Sequence, residues 1–271
     1  MGVVGENITQ NFTELRPIKL IEIGEKMRNI KLTIEYDGKD FNGWQKQPTK
    51  LNIQGTIEQA IKQITGEEVQ LDASGRTDAG VHAFGQVANF KTNSQIPIDK
   101  FAIAINSKLK RSIVIKKAEE VDERFHSRLN CKKKTYRYVI NNTPEGTAIY
   151  RNLETHIPQK LNVEKMKEAV KFFEGEHDFK AFKASGTSSK SSVRTIYKAE
   201  VYQEGDRIMI ELTGNGFLYN MVRIIAGTLV EVGLGKIEPN TIPEIIESKK
   251  RENAGKTFPP NGLYLMKVIY D

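Results

Sequence analysis

The chain has 271 residues, 38% of them hydrophobic, enough for one large core or two smaller ones. Lys and Arg outnumber Asp and Glu by 41 to 34, and the net charge of +7 suits a polyanionic partner such as nucleic acid. Cys131 is the single cysteine, which excludes an internal disulfide and a multi-cysteine zinc site; the four histidines show no metal-ligand spacing, and no apolar run reaches the ~18 residues of a membrane span.

Residues 1–28 have weak periodicity and lack the apolar core of a secretory signal, so they are expected to form an N-terminal extension, disordered or not native, on a cytoplasmic protein. Ile30, Leu32, Ile34 and Tyr36 alternate with Lys31, Thr33 and Glu35, the period of a half-buried strand. After the turn-rich "DGKDFNGW", Ile57, Ala60, Ile61 and Ile64 mark one helix face, with Thr56 and Gln59 offering a capping box at its start. "SGRTDAGVHAFGQVANF", Ser74 to Phe90, sets a glycine-rich turn before a strand. Ile98, Phe101, Ala102 and Ile105 repeat the helical spacing after Pro97, a residue favoured at the first helical position.

The second half repeats these ingredients. "TYRYVIN" reads as a strand, and Val163, Met166, Val170 and Phe173 mark an amphipathic helix. "IYKAEVYQ" and "RIMIELTG" flank "EGD" as a hairpin. Residues 219–232 are apolar on nearly all sides, a buried helix, and "LYLMKVIY" closes the chain as a strand. Hairpins and helices mix without strict alternation, which implies an α+β fold with mostly antiparallel sheet. Two α/β halves are expected, 29–130 and 131–271.

No dinucleotide fingerprint, Walker A loop or nucleophile elbow is present, and what remains is acid and base. Asp78 sits in a turn between Gly75 and Gly80, which permit close backbone approach, and a nearby guanidinium such as Arg76 would lower its pKa. An ionised carboxylate of that kind serves as nucleophile or base; on local sequence alone, ordinary turn chemistry is the simpler account of the same residues. The segment 124–137 carries Arg124, Arg128, Lys132, Lys133, Lys134 and Arg137 without an acid, alongside Phe125 and Tyr136, the combination that grips phosphates and stacks unpaired bases. Lys180–Lys198 is a second acid-free stretch and reads as a mobile basic loop. Arg223 interrupts the apolar helix and needs a partner there, either a carboxylate such as Asp78 or a backbone carbonyl.

Taken together, "GRTDAGVHAFGQVANF", "KTYRY", "NGFLYNMVRIIAG" and "GLYLMKVIY" resemble the tRNA pseudouridine synthase A family, in family order from about Arg28 to Asp271. The resemblance implies a homodimeric isomerase with two ferredoxin-like halves joined in one sheet. It would convert uridine to pseudouridine at positions 38, 39 and 40 of the tRNA anticodon arm, with no metal or organic cofactor. It further implies that Asp78 is the catalytic aspartate and that Arg76 helps extrude the target base. Tyr136 would stack on the uracil, Arg223 pair with Asp78, and Leu263 pack under the nucleotide. Arg124, Arg128, Lys132, Lys133 and Lys134 are then expected along the RNA.

Overall fold

The computed structural model describes residues 1–2, 27–186 and 191–271, so the expectation for residues 1–28 falls almost wholly outside the described residues. The first strand, β1 (Arg28–Tyr36), forms where the alternation predicts it: Ile30, Leu32 and Ile34 are fully buried while the residues between them are half-exposed. Helix α1 (Ile53–Thr65) follows, then a two-residue strand β2 (Asp72–Ala73), the long strand β3 (His82–Thr92), α2 (Ile98–Asn106) and β4 (Ile113–Val121). β5 (Lys133–Asn141), β6 (Thr155–His156), α3 (Val163–Lys171), β7 (Gly175–Asp178), β8 (Val193–Glu204), β9 (Arg207–Gly214), α4 (Met221–Gly233), α5 (Ile242–Ser248) and β10 (Leu263–Ile269) complete the order.

The strands form one mixed, mostly antiparallel sheet in the order β4-β1-β3-β10-β5-β9-β8-β7. Its connectivity repeats. Apart from the short strands β6 and β7 and the extra helix α5, the chain from β5 to β10 runs strand, helix, hairpin, helix, strand, and the order β10-β5-β9-β8 is that of a ferredoxin-like unit. From β1 to β4 the same order recurs with a difference: the second strand is the short β2, which pairs only with Ala88 and Asn89 of β3. The rest of that β3 edge is taken by β10, which runs parallel to it at Tyr264 and Leu265 and antiparallel to β5 on its other side. The truncated strand therefore leaves the Ser74–Val81 loop at the seam between the two units.

Helices α1 and α2 pack together over the first unit, and α3 and α4 over the second. Burial of Ile57, Ala60 and Ile61 on α1, and of nearly the whole of α4, joins a single apolar core. Each fully buried Ile or Leu contributes about 1.5–3 kcal/mol to holding these layers.

Three local expectations need correction. α1 starts at Ile53, capped by Asn52, whose side chain accepts from Gly55 N at 2.8 Å. Thr56 lies inside the first turn and donates its hydroxyl to Asn52 O at 2.7 Å, so Thr56 and Gln59 form no capping box. Pro97 is the residue before α2 and not its first. The stretch Lys180–Lys198 is not one loop: Phe179–Phe182 is a 3-10 turn that buries Phe179, Ala181 and Phe182, and β8 begins at Val193.

Candidate active site

A cleft of about 1260 Å³ opens at the seam, lined by residues 70–78, by β5 at Lys134 and Tyr136, by the Asn215–Val222 approach to α4, and by Leu263. Of the residues singled out from sequence, Asp78, Arg76, Tyr136, Leu263, Arg128 and Lys134 line it. Arg124, Lys132 and Lys133 do not: Arg124 and Lys132 are exposed elsewhere, and the Lys133 ammonium lies 4.6 Å from the centre of the Tyr197 ring.

Asp78 owes its place to a loop fixed peptide by peptide. Ser74 N donates to Val87 O at 2.8 Å, extending the β2–β3 pairing. Gln86, fully buried on β3, accepts from Ser74 Oγ at 2.8 Å and donates to Gly75 O at 2.9 Å. Thr77 Oγ1 meets Tyr36 Oη at 2.7 Å, and Thr77 O accepts from Trp44 N at 3.0 Å. This last bond explains the turn before Trp44. Gly43 has a φ of 81°, and a Cβ there would stand 2.5 Å from Thr77 O. Gly80, at φ 77°, carries the chain out of the turn toward β3.

The carboxylate of Asp78 faces Arg223, with Nη1 to Oδ2 at 3.6 Å. Both alternatives left open for Arg223 hold at once, because its Nε also donates to Phe258 O at 2.6 Å. Its Nη1 donates to Asn220 Oδ1 at 2.7 Å. The guanidinium is thus anchored on two sides. Burial raises the Asp78 pKa above the usual carboxylate value, and Arg223 pulls it back down. The guanidinium that acts on Asp78 is thus that of Arg223, where the sequence pointed to Arg76, which is exposed at the cleft wall.

Tyr136 enters the cleft from β5, with Phe217 edge-on to its ring at a centroid distance of 5.1 Å. Burial, with the nearby Tyr36 and Asp78 adding to it, pushes its phenol well above the ordinary tyrosine range, so the hydroxyl stays protonated at neutral pH. β10 holds the adjacent wall in register: Leu265 faces Tyr136 and Leu263 faces Tyr138. The turn before β10 is pinned by Tyr138 Oη, which donates to Pro259 O at 2.7 Å.

Sequence reasoning missed Gln86, Trp44, Phe217 and Asn220. Asn220 has the clearest signal in hindsight. It stands before α4 at φ 60°, a left-handed conformation that Asn tolerates better than most residues, and its side chain orients Arg223. Among the described residues no three His, Cys, Asp or Glu side chains converge as a metal site, and no helix is long and apolar enough to cross a membrane.

Residues 32–130 and 169–271 match the family model described as tRNA pseudouridine synthase. The chain is 54% identical over 244 residues to the tRNA pseudouridine synthase A of Acetivibrio thermocellus, covering 90% of this chain and 100% of that one. The same identity and coverage hold for the protein of that name from Caldicellulosiruptor bescii. That of Ruminiclostridium cellulolyticum is 53% identical over 245 residues, again covering 90% and 100%.

Proposed function

Because this chain belongs to the tRNA pseudouridine synthase family and is an isomerase acting on tRNA, we propose that it converts uridines 38, 39 and 40 of the anticodon stem-loop, with Asp78 at the reacting centre. The observation that carries this reading is the convergence, in one cleft, of an arginine-paired carboxylate, a buried tyrosine and an exposed arginine.

Pseudouridine formation breaks the C1′–N1 bond, turns the uracil and joins C1′ to C5. N1 gains a proton, C5 loses one, and no electrons enter or leave, so the chemistry needs no redox cofactor. Asp78 begins it in its ionised form, as a nucleophile at C1′ or as the base that takes the 2′ proton. Arg223 favours that form and fixes its direction. The base must first leave the stack at a cost of a few kcal/mol. Arg76, exposed on the rim of the Asp78 loop, would then fill the vacated space. Stacking on Tyr136 returns ~1–3 kcal/mol, and its protonated hydroxyl can donate to a uracil carbonyl. Leu263 supplies apolar surface beneath the nucleotide.

Arg128 at the cleft wall, with Arg124, Lys132 and Lys133 beyond it, would follow the phosphates and make affinity salt-dependent. The working unit is a cytoplasmic homodimer, in keeping with large apolar side chains exposed on one chain, among them Phe84 at 50% and Ile149 at 78%. Within each chain, residues 29–130 and 131–271 act as the two halves that meet at the cleft. The site assignment is tested with tRNAs that keep uridine at only one of positions 38, 39 and 40. Pseudouridine should form at each, and turnover confined to uridines outside the anticodon arm would overturn it.

A further inference from the structure

We infer that Lys134 is a positioning residue that holds the Asp78 loop from across the sheet, and not a contact to tRNA phosphate. This rests on the reading of Asp78 as the reacting carboxylate. Lys134 precedes Tyr136 by two residues on β5, so both side chains leave the same face of the strand, into the cleft. Its ammonium donates to Ser74 O at 2.5 Å. Among the described residues no carboxylate lies within ion-pairing distance of it; Arg128 is close enough to act on its charge, and the neighbouring Cys131 thiol is kept protonated by burial.

A lysine in this setting has a definite structural task. Ser74 is buried, and its carbonyl would lose a partner if the ammonium turned away, at the usual cost of an unpaired buried acceptor. The next carbonyl, that of Gly75, is held by Gln86 from β3. The loop is therefore gripped from both units of the sheet, by β3 of the first and β5 of the second. The fit is close on the remaining side as well: a Cβ at position 75 would stand 2.6 Å from Lys134 Nζ. Glycine at 75 and lysine at 134 are parts of one contact. A phosphate-binding ammonium would be expected to reach free toward the cleft, as the exposed Arg76 and Arg128 do.

Lys134→Met and Lys134→Arg separate the two roles, read by single-turnover rate at saturating tRNA and by tRNA affinity across a salt series. Positioning predicts that Lys134→Met slows the single-turnover step by roughly 10- to 100-fold, the scale of an ångström-level misplacement. Its affinity and salt slope should match those of the wild type, whereas Arg128→Ala lowers the slope by about one. Lys134→Arg keeps the charge but carries a wide planar head group in place of the compact ammonium that meets Ser74 O, so its rate should fall while binding holds, which also covers a Lys134→Met protein that fails to fold. Loss of about one unit of salt slope in Lys134→Met, or a wild-type single-turnover rate in Lys134→Arg, would overturn the inference. Asp78→Asn is run alongside. If that variant turns over, the reading of Asp78 fails; if it is inactive while the Lys134 variants react normally, only the role of Lys134 fails.

Discussion

Replacing Arg223 with methionine keeps most of the apolar stem and removes the charge that faces Asp78. At 3.6 Å the pair is worth about 1 kcal/mol if screened as in water and about 5 kcal/mol at an effective dielectric constant of 20. Asp78 is 31% exposed and Arg223 15%, so an intermediate value of about 2–3 kcal/mol is appropriate. All of it favours the ionised carboxylate, and burial already pushes the Asp78 pKa upward. Removing the arginine moves that pKa further up, and the acid limb of the kcat/KM profile moves to higher pH. On the acid side of the profile the loss is the whole ion-pair energy, roughly 30- to 150-fold, and it narrows as rising pH ionises Asp78 unaided. Lysine at 223 cannot hold both Phe258 O and Asn220 as the fork does, so it restores the limb only in part. The assay is tritium release from tRNA labelled at uridine C5, followed from acid to mildly alkaline pH. An Arg223→Met protein with an unmoved acid limb would refute the role given to this pair.

The Asp78 carboxyl also makes a stability prediction. Its folded pKa is raised, so its contribution to stability is full below the unfolded value and is lost as pH rises through the folded one. Arg223 retains Phe258 O and Asn220 when the charge is gone, so Asp78→Asn should melt at or above the wild type at pH 7, with the difference vanishing in acid; a lower melting temperature at pH 7 would count against it. Gly227→Ala should be costly although alanine favours helices, because its Cβ would stand 1.9 Å from Lys256 O, in the segment leading to the carbonyl that anchors Arg223. Overpacking of ~1–3 kcal/mol or more against a gain of ~1 kcal/mol predicts a melting temperature lower by several degrees and slower turnover. Asn220→Gly should keep the melting temperature, since glycine accepts the left-handed backbone, yet lose activity with the amide that orients Arg223; Asn220→Ala should lose both.

Elements with a full apolar period were legible in the sequence, among them β1, the hairpin β8–β9, α4 and β10. β4 was not. It is an edge strand in which only Ile113 and Ile115 are fully buried, and "KKAEEV" beyond them carries no alternation. β7, "GEHD", is an edge of the same polar kind. At the site, the residue types were legible and their partners were not. Arg76 looks like the partner of Asp78 because it is close in sequence, but the turn sends it outward, and a helix from the other half of the chain supplies the arginine. Three consecutive lysines, 132 to 134, look alike as charges. The strand alternation separates them, laying Lys133 over Tyr197 and sending Lys134 toward Ser74. Such assignments depend on contacts between distant strands, which local composition does not encode.

The most direct test of the account compares Asp78→Ala with the wild type in tritium release from C5-labelled tRNA, with tRNA binding measured on the same preparations. Wild-type protein should release tritium at the anticodon-arm uridines, and Asp78→Ala should bind tRNA with near wild-type affinity and release none. Appreciable release by the Asp78→Ala protein would contradict the assignment of Asp78 as the reacting carboxylate.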